Sequence, residues 1–110
     1  MDTRQIDHFL AALEHGNLRI AAEEQHLSQP ALTKSLQRLE AALGVRLFDR
    51  GRFGVQPTMF GLAFARRARL LKAELFRAQR ELSDLKGATT GHATIGAGPT
   101  EATRLIPLAL

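Results

Sequence analysis

The sequence contains no cysteine, no tryptophan and no tyrosine, and its only aromatic residues are six phenylalanines. Without cysteine there is no disulfide scaffold, no thiolate zinc finger and no cysteine nucleophile. No apolar run approaches the roughly 18 residues that cross a bilayer. Met1–Gln5 lacks the basic start and apolar stretch of a secretory signal. Neither membrane insertion nor export is therefore expected, and a cytoplasmic location is. The four histidines, His8, His15, His26 and His92, are scattered without zinc-ligand spacing, so no metal is expected. Paired catalytic carboxylates, a phosphate-cradling glycine loop and a nucleophile with its base are also missing. An enzyme is not expected, nor a cofactor.

What is present is a small, apolar and basic chain. Apolar residues make up 45% of the 110 residues, enough for one small domain or one domain with an appendage. The net charge is +4 with a pI of about 10.7, a weak pointer to a polyanionic partner. Its distribution says more. Residues 1–27 hold two basic groups against five acidic ones, residues 28–57 five against two, and residues 58–86 seven against three. The basic excess starts at Ser28, and an electrostatic footprint confined to part of a chain outweighs the total.

The apolar pattern predicts four helices. Ile6, Phe9, Leu10 and Leu13 recur at helical spacing, which predicts a helix over Thr3–His15 with Asp2 and Gln5 as a capping box. Gly16-Asn17 suits a left-handed C-cap followed by an N-cap. A second helix follows over Leu18–Gln25, its inner face Leu18, Ala21, Ala22 and Gln25, and small alanines let helices cross closely. His26-Leu27-Ser28 forms the turn, with Leu27 plugging the corner. Ser28 caps a third helix that carries Pro30 in its first turn and stops at Gly44. Leu32, Leu36, Leu39 and Leu43 form its buried stripe. Gln29, Pro30, Thr33, Lys34 and Gln37 face away, with Arg38 beside them and no carboxylate among them.

Val45-Arg46-Leu47-Phe48 then predicts a short strand, residues 49–54 a turn, and Val55-Gln56 a returning strand. Such a ribbon with basic tip residues behind a helix-turn-helix is a wing. Thr58 starts a long helix to about Lys86. Phe64, Ala68, Leu71, Leu75, Ala78, Leu82 and Leu85 follow one another at gaps of 4, 3, 4, 3, 4 and 3, the coiled-coil seam. At ~1.5 Å per residue the rod is ~42 Å long, so its stripe needs a cover. That cover is a second copy or the rest of a longer protein. With a second copy, a parallel pair sets Arg67 against Lys72. An antiparallel pair centred between Leu71 and Leu75 sets Phe64 against Leu82 and Arg67 near Glu81, although Glu74 then nears its own copy. Charge favours antiparallel. Residues 87–91 have linker composition, residues 92–97 predict a strand, and residues 101–110 begin another helix, as if a second domain starts there. Thr100 suits an N-cap for this last helix.

The combination of Phe9-Leu10-Ala11, Glu14-His15-Gly16, Ala21-Ala22, Leu27-Ser28-Gln29-Pro30-Ala31-Leu32, Arg38-Leu39-Glu40 and Leu43-Gly44-Val45-Arg46-Leu47-Phe48 resembles the N-terminus of a LysR-type transcriptional regulator. The likeness covers residues 1 to about 86. Ile95-Gly96-Ala97 and Leu105-Ile106-Pro107 resemble the opening of that family's effector domain, and Thr100 resembles a position near its effector cleft, the alternative to an N-cap. The resemblance implies a mainly α fold: a winged helix-turn-helix over residues 1–58, a dimerising linker helix over 59–87, and a hinge with the truncated start of an α/β effector domain over 88–110. It implies a sequence-specific regulator of transcription that binds double-stranded DNA as an antiparallel homodimer, with a tetramer as a further assembly of the full-length protein. It also implies an unidentified small-molecule effector for the missing domain. Gln29, Pro30, Thr33 and Lys34 would face base edges, while Ser28, Arg38, Arg50 and Arg52 would hold phosphate or line the wing.

Side-chain chemistry fits those roles. Glutamine can pair bidentately with adenine, lysine can donate to guanine, and the threonine methyl and proline ring suit the thymine methyl. Arginines and a helix N-terminus suit phosphates, which fix register without reading sequence. Two places depart from the family pattern. Phe53 stands where the wing commonly has arginine, with Arg52 one residue earlier, serving either the minor groove or a phosphate. Helix two opens Asn17-Leu18-Arg19-Ile20 instead of the commoner Ser-Phe-Thr-Arg. The competing reading is a protein-interaction module with an assembly coiled coil, which salt-dependent binding to duplex DNA would exclude.

Overall fold

Each helix of the computed structural model, which describes residues 1–91, begins where a side chain can satisfy its free N–H groups. Helix α1 (Thr3–His15) opens on the expected capping box: Asp2 accepts from the Gln5 N–H at 3.0 Å and Gln5 accepts from the Asp2 N–H at 3.0 Å. Helix α2 (Leu18–Glu24) is capped by Asn17, which accepts from the Ile20 N–H at 2.9 Å. Helix α3 (Gln29–Leu43) is capped by Ser28, which accepts from the Ala31 N–H at 3.2 Å. Gly16 and Gly44 close α1 and α3 at φ 62° and 73°, conformations that cost glycine little. At the α2–α3 turn His26 takes φ 59°, and Leu27 donates its N–H back to the Ala22 carbonyl at 2.9 Å.

The strands β1 (Phe48–Gly51) and β2 (Gly54–Pro57) pair antiparallel, with Phe48 opposite Pro57 and Gly51 opposite Gly54. The sequence pattern places the first strand three residues too early. Val45-Arg46-Leu47 is apolar enough for a strand, but its backbone groups are taken elsewhere. The Glu40 carboxylate accepts from the Leu47 and Phe48 N–H groups, and Thr58 bonds the Arg46 and Leu47 carbonyls. Asp49, Arg50 and Gly51 therefore belong to the strand and not to the turn, leaving a two-residue loop, Arg52-Phe53.

Helix α4 (Met59–Gly91) runs 33 residues, with Thr58 accepting from the Gly61 N–H at 3.1 Å. It passes the expected end near Lys86 and includes residues 87–91, where composition alone predicts a linker. One glycine in a helix costs only about 1 kcal/mol relative to alanine, so Gly87 weakens the helix without ending it. The strand expected at 92–97, Thr100 and the helix expected at 101–110 lie outside the described residues.

Two units partition the chain, one over Met1–Leu71 and one from Lys72 onward. In the first, Phe9, Leu32, Leu39 and Leu47 are fully buried, and Ala21 and Ala22 let α2 lie close to its neighbours. The Phe9 ring stands 5.2 Å from Phe48 and 5.0 Å from Phe64, edge-on to the latter. One side chain of α1 thus packs on the hairpin and on the start of α4. In the second unit the described side chains are almost all exposed, among them Leu75, Phe76, Leu82 and Leu85.

Candidate nucleic-acid interface

The buried stripe of α3 settles what its other face can do. Leu32, Leu36 and Leu39 point into the core, so Gln29, Pro30, Lys34, Gln37 and Arg38 are exposed and Thr33 is half-buried. Ser28 is exposed at the N-terminus. Its oxygen caps the helix, and its hydroxyl proton can be donated outward. The sole carboxylate of α3, Glu40, is half-buried and turned to the base of the hairpin, where it accepts at 2.7 Å from Leu47 and 3.2 Å from Phe48. The exposed N-terminal face of α3 is thus left with donors, neutral amides and positive charge. The sequence shows Glu40 as one acidic charge and as the end of the Arg38-Leu39-Glu40 motif, but not this role, because its partners lie seven and eight residues away.

The hairpin stands beside this face. Arg50 lies on β1 opposite the buried Val55, and a groove between α3 and the hairpin is lined by Gln37, Glu40, Arg46 and Arg50 together with Leu18, Leu36, Phe48 and Val55. Arg46 pairs with Asp49 at 3.5 Å, whereas Arg52 and Phe53 sit at the exposed hairpin tip. The hairpin is held from below as well, by the Val55 N–H donating to the Gly16 carbonyl at 3.1 Å.

Two histidines gain partners that sequence spacing hides. His8 Nδ1 meets Ser35 Oγ at 2.6 Å and ties α1 to α3. Burial pushes the His8 imidazole below its ordinary value, against the pull of Asp7 and Asp2. His15 Nε2 meets Glu24 at 2.9 Å across the α1–α2 corner, and this hydrogen bond lowers the Glu24 carboxyl. Glu14 joins them within 4.8 Å, a group at the surface in which the His15–Glu24 hydrogen bond already uses two of the three.

The expected seam on α4 is divided by the structure. Ala68 is buried and Phe64 is half-buried against Phe9, both as part of the first unit's core. Leu71, Leu75, Ala78, Leu82 and Leu85 are exposed. Periodicity could not separate the two groups, because a helix shows one stripe whether a partner or its own domain covers it.

Residues 3–62 match the family described as "Bacterial regulatory helix-turn-helix protein, lysR family". The chain belongs to the LysR family. That is a family of regulatory proteins and not of enzymes. This LysR-family chain is 46% identical over 111 residues to the SDS degradation transcriptional activation protein of Pseudomonas sp. (strain ATCC 19151), covering 99% of this chain and 36% of that protein. It is 39% identical to the HTH-type transcriptional regulator CbbR of Rhizobium meliloti (strain 1021), over 84% of this chain and 30% of that one. The chain therefore spans about a third of the length of these relatives. Among solved structures it is similar to the CbnR_DBD–DNA complex, with 38% identity, a TM-score of 0.73, and coverage of 76% of this chain and 97% of that one. Among the described residues no helix is long and apolar enough to cross a membrane.

Proposed function

We propose that this LysR-family chain is the DNA-binding and dimerising part of a sequence-specific transcription regulator that works in the cytoplasm. The observation that carries this reading is the exposed, carboxylate-free N-terminal face of α3 beside a basic hairpin. In it, α3 enters the major groove. Gln29 pairs with adenine, Lys34 donates to guanine, and Pro30 and Thr33 contact thymine methyls. Ser28, Arg38, Arg50 and Arg52 hold phosphates, together with the free N–H groups of the α3 N-terminus. The relatives' length supports a further domain in the whole protein, which would sense a small-molecule effector. Selection of bound duplexes from a random pool tests the reading: it yields a defined half-site, repeated at a fixed spacing, and recovery of no preferred sequence overturns it.

Two substitutions separate reading from holding. Gln29→Ala costs about 1–3 kcal/mol of affinity, concentrated at one base pair, and an equal loss on every sequence contradicts base reading. Arg50→Ala weakens binding uniformly and lowers the salt slope by about one unit, which affinity measured across a salt series checks.

The exposed stripe Leu71, Leu75, Ala78, Leu82 and Leu85 pairs with its copy in the antiparallel sense, and the charges of Arg67 and Glu81 support that orientation. Because the chain has no native cysteine, cross-linking is unambiguous. Leu82→Cys alone forms no disulfide with itself, whereas Leu71→Cys cross-links efficiently when mixed with Leu75→Cys, the residue that the antiparallel register sets against it. All three positions are exposed. Self-cross-linking of Leu82→Cys establishes a parallel pair instead.

A further inference from the structure

Phe53 is 88% exposed, the most exposed of the large apolar side chains among the described residues. It occupies one of the two positions in the hairpin loop, between Arg52 and Gly54. The other five phenylalanines are in the core or on α4. The tip is also held firmly. The Glu40 carboxylate fixes the start of β1 through Leu47 and Phe48, and the Gly16 carbonyl fixes β2 through Val55. A two-residue loop on a hairpin anchored at both strands carries the ring at a fixed place on the first unit. The exposed Arg50 and Arg52 near it supply phosphate-binding charge.

A phenyl ring has no donor or acceptor for a base edge, and against phosphates it gains nothing. Its apolar face gains only by leaving water. In the minor groove, where no thymine methyl is presented, the surface that accepts such a ring is the stack itself. Minor-groove proteins use phenylalanine in this way, partly unstacking one base step and bending the duplex toward the major groove. The steps that yield most readily are the pyrimidine–purine ones, TA and CA. Resting on the proposed binding of α3 to the major groove, the geometry points to Phe53 as an apolar wedge that enters the adjacent minor groove and unstacks one flexible base step. The wing then contributes sequence preference through deformability, at a position no hydrogen bond reads.

The test uses the full chain and the duplex recovered by selection, with 2-aminopurine placed at successive steps on the wing side. Binding raises the fluorescence at one step and bends the duplex. Phe53→Ala abolishes both and lowers affinity roughly ten-fold, in line with other base–aromatic contacts, while the salt slope stays unchanged because the ring neutralises no phosphate. Phe53→Arg restores affinity with a steeper salt slope and no fluorescence rise. Since the side chain is exposed, both variants keep the fold, which their helical content checks. If Phe53→Ala binds as tightly as the parent and the 2-aminopurine signal never rises, the wedge is overturned. The Gln29→Ala effect then shows whether the α3 reading survives. If Phe53→Ala leaves DNA binding intact but removes an association with another protein, the ring serves that partner and the wedge is likewise overturned.

Discussion

Phe9→Ala is expected to destabilise the first unit by about 3–5 kcal/mol, the range for deleting a buried aromatic ring. Phe9 has no exposed surface, and its ring touches both Phe48 and Phe64. Removing it opens a cavity where α1, the hairpin and α4 meet, and none of the three can close it without pulling away from the others. Stabilities of small domains are about 5–15 kcal/mol, so a loss of this size takes much of the total. Urea unfolding followed by helical signal checks the result. A loss below about 1 kcal/mol shows that the ring junction does not hold these elements together.

Gly54→Ala is expected to cost about 2–4 kcal/mol, combining an unfavourable backbone with a steric clash. Gly54 has φ 110°, and a Cβ there would overlap the Gly16 carbonyl oxygen. That oxygen is backbone, so no flexible side chain can swing aside. The hairpin must lift from the α1–α2 corner, which breaks the Val55–Gly16 hydrogen bond. Gly51→Ala is the control, because nothing lies within 4 Å of a Cβ there. It should change stability by no more than about 0.5 kcal/mol. Binding gives a second readout. With the hairpin displaced, Arg50→Ala should add little to the loss already caused by Gly54→Ala, whereas the two losses add fully if the hairpin acts independently of its anchor.

Much of this molecule was legible from local chemistry. The capping box at Asp2 and Gln5, the Asn17 and Ser28 caps and the Gly16 and Gly44 stops all depend on contacts within a few residues, and each lies where the sequence places it. The outward face of α3 follows from the leucine stripe in the same way. The hairpin was harder. Its start depends on Glu40 and Thr58, which reach across seven to twelve residues to occupy the backbone of Arg46, Leu47 and Phe48. The end of α4 was misplaced for a different reason, since linker composition at residues 87–91 is a statistical cue and not a steric stop.

By itself the sequence determined the helices, their caps, the family and the side chains that α3 turns outward, because these rest on periodicity and short-range hydrogen bonds. Only the tertiary structure decided where the wing stands, what Glu40 does, and which part of the α4 stripe is already covered. Each of these turns on contacts between segments distant in sequence. Of the six phenylalanines, three meet in the core as Phe9, Phe48 and Phe64, while Phe53 alone stands at the tip of the hairpin.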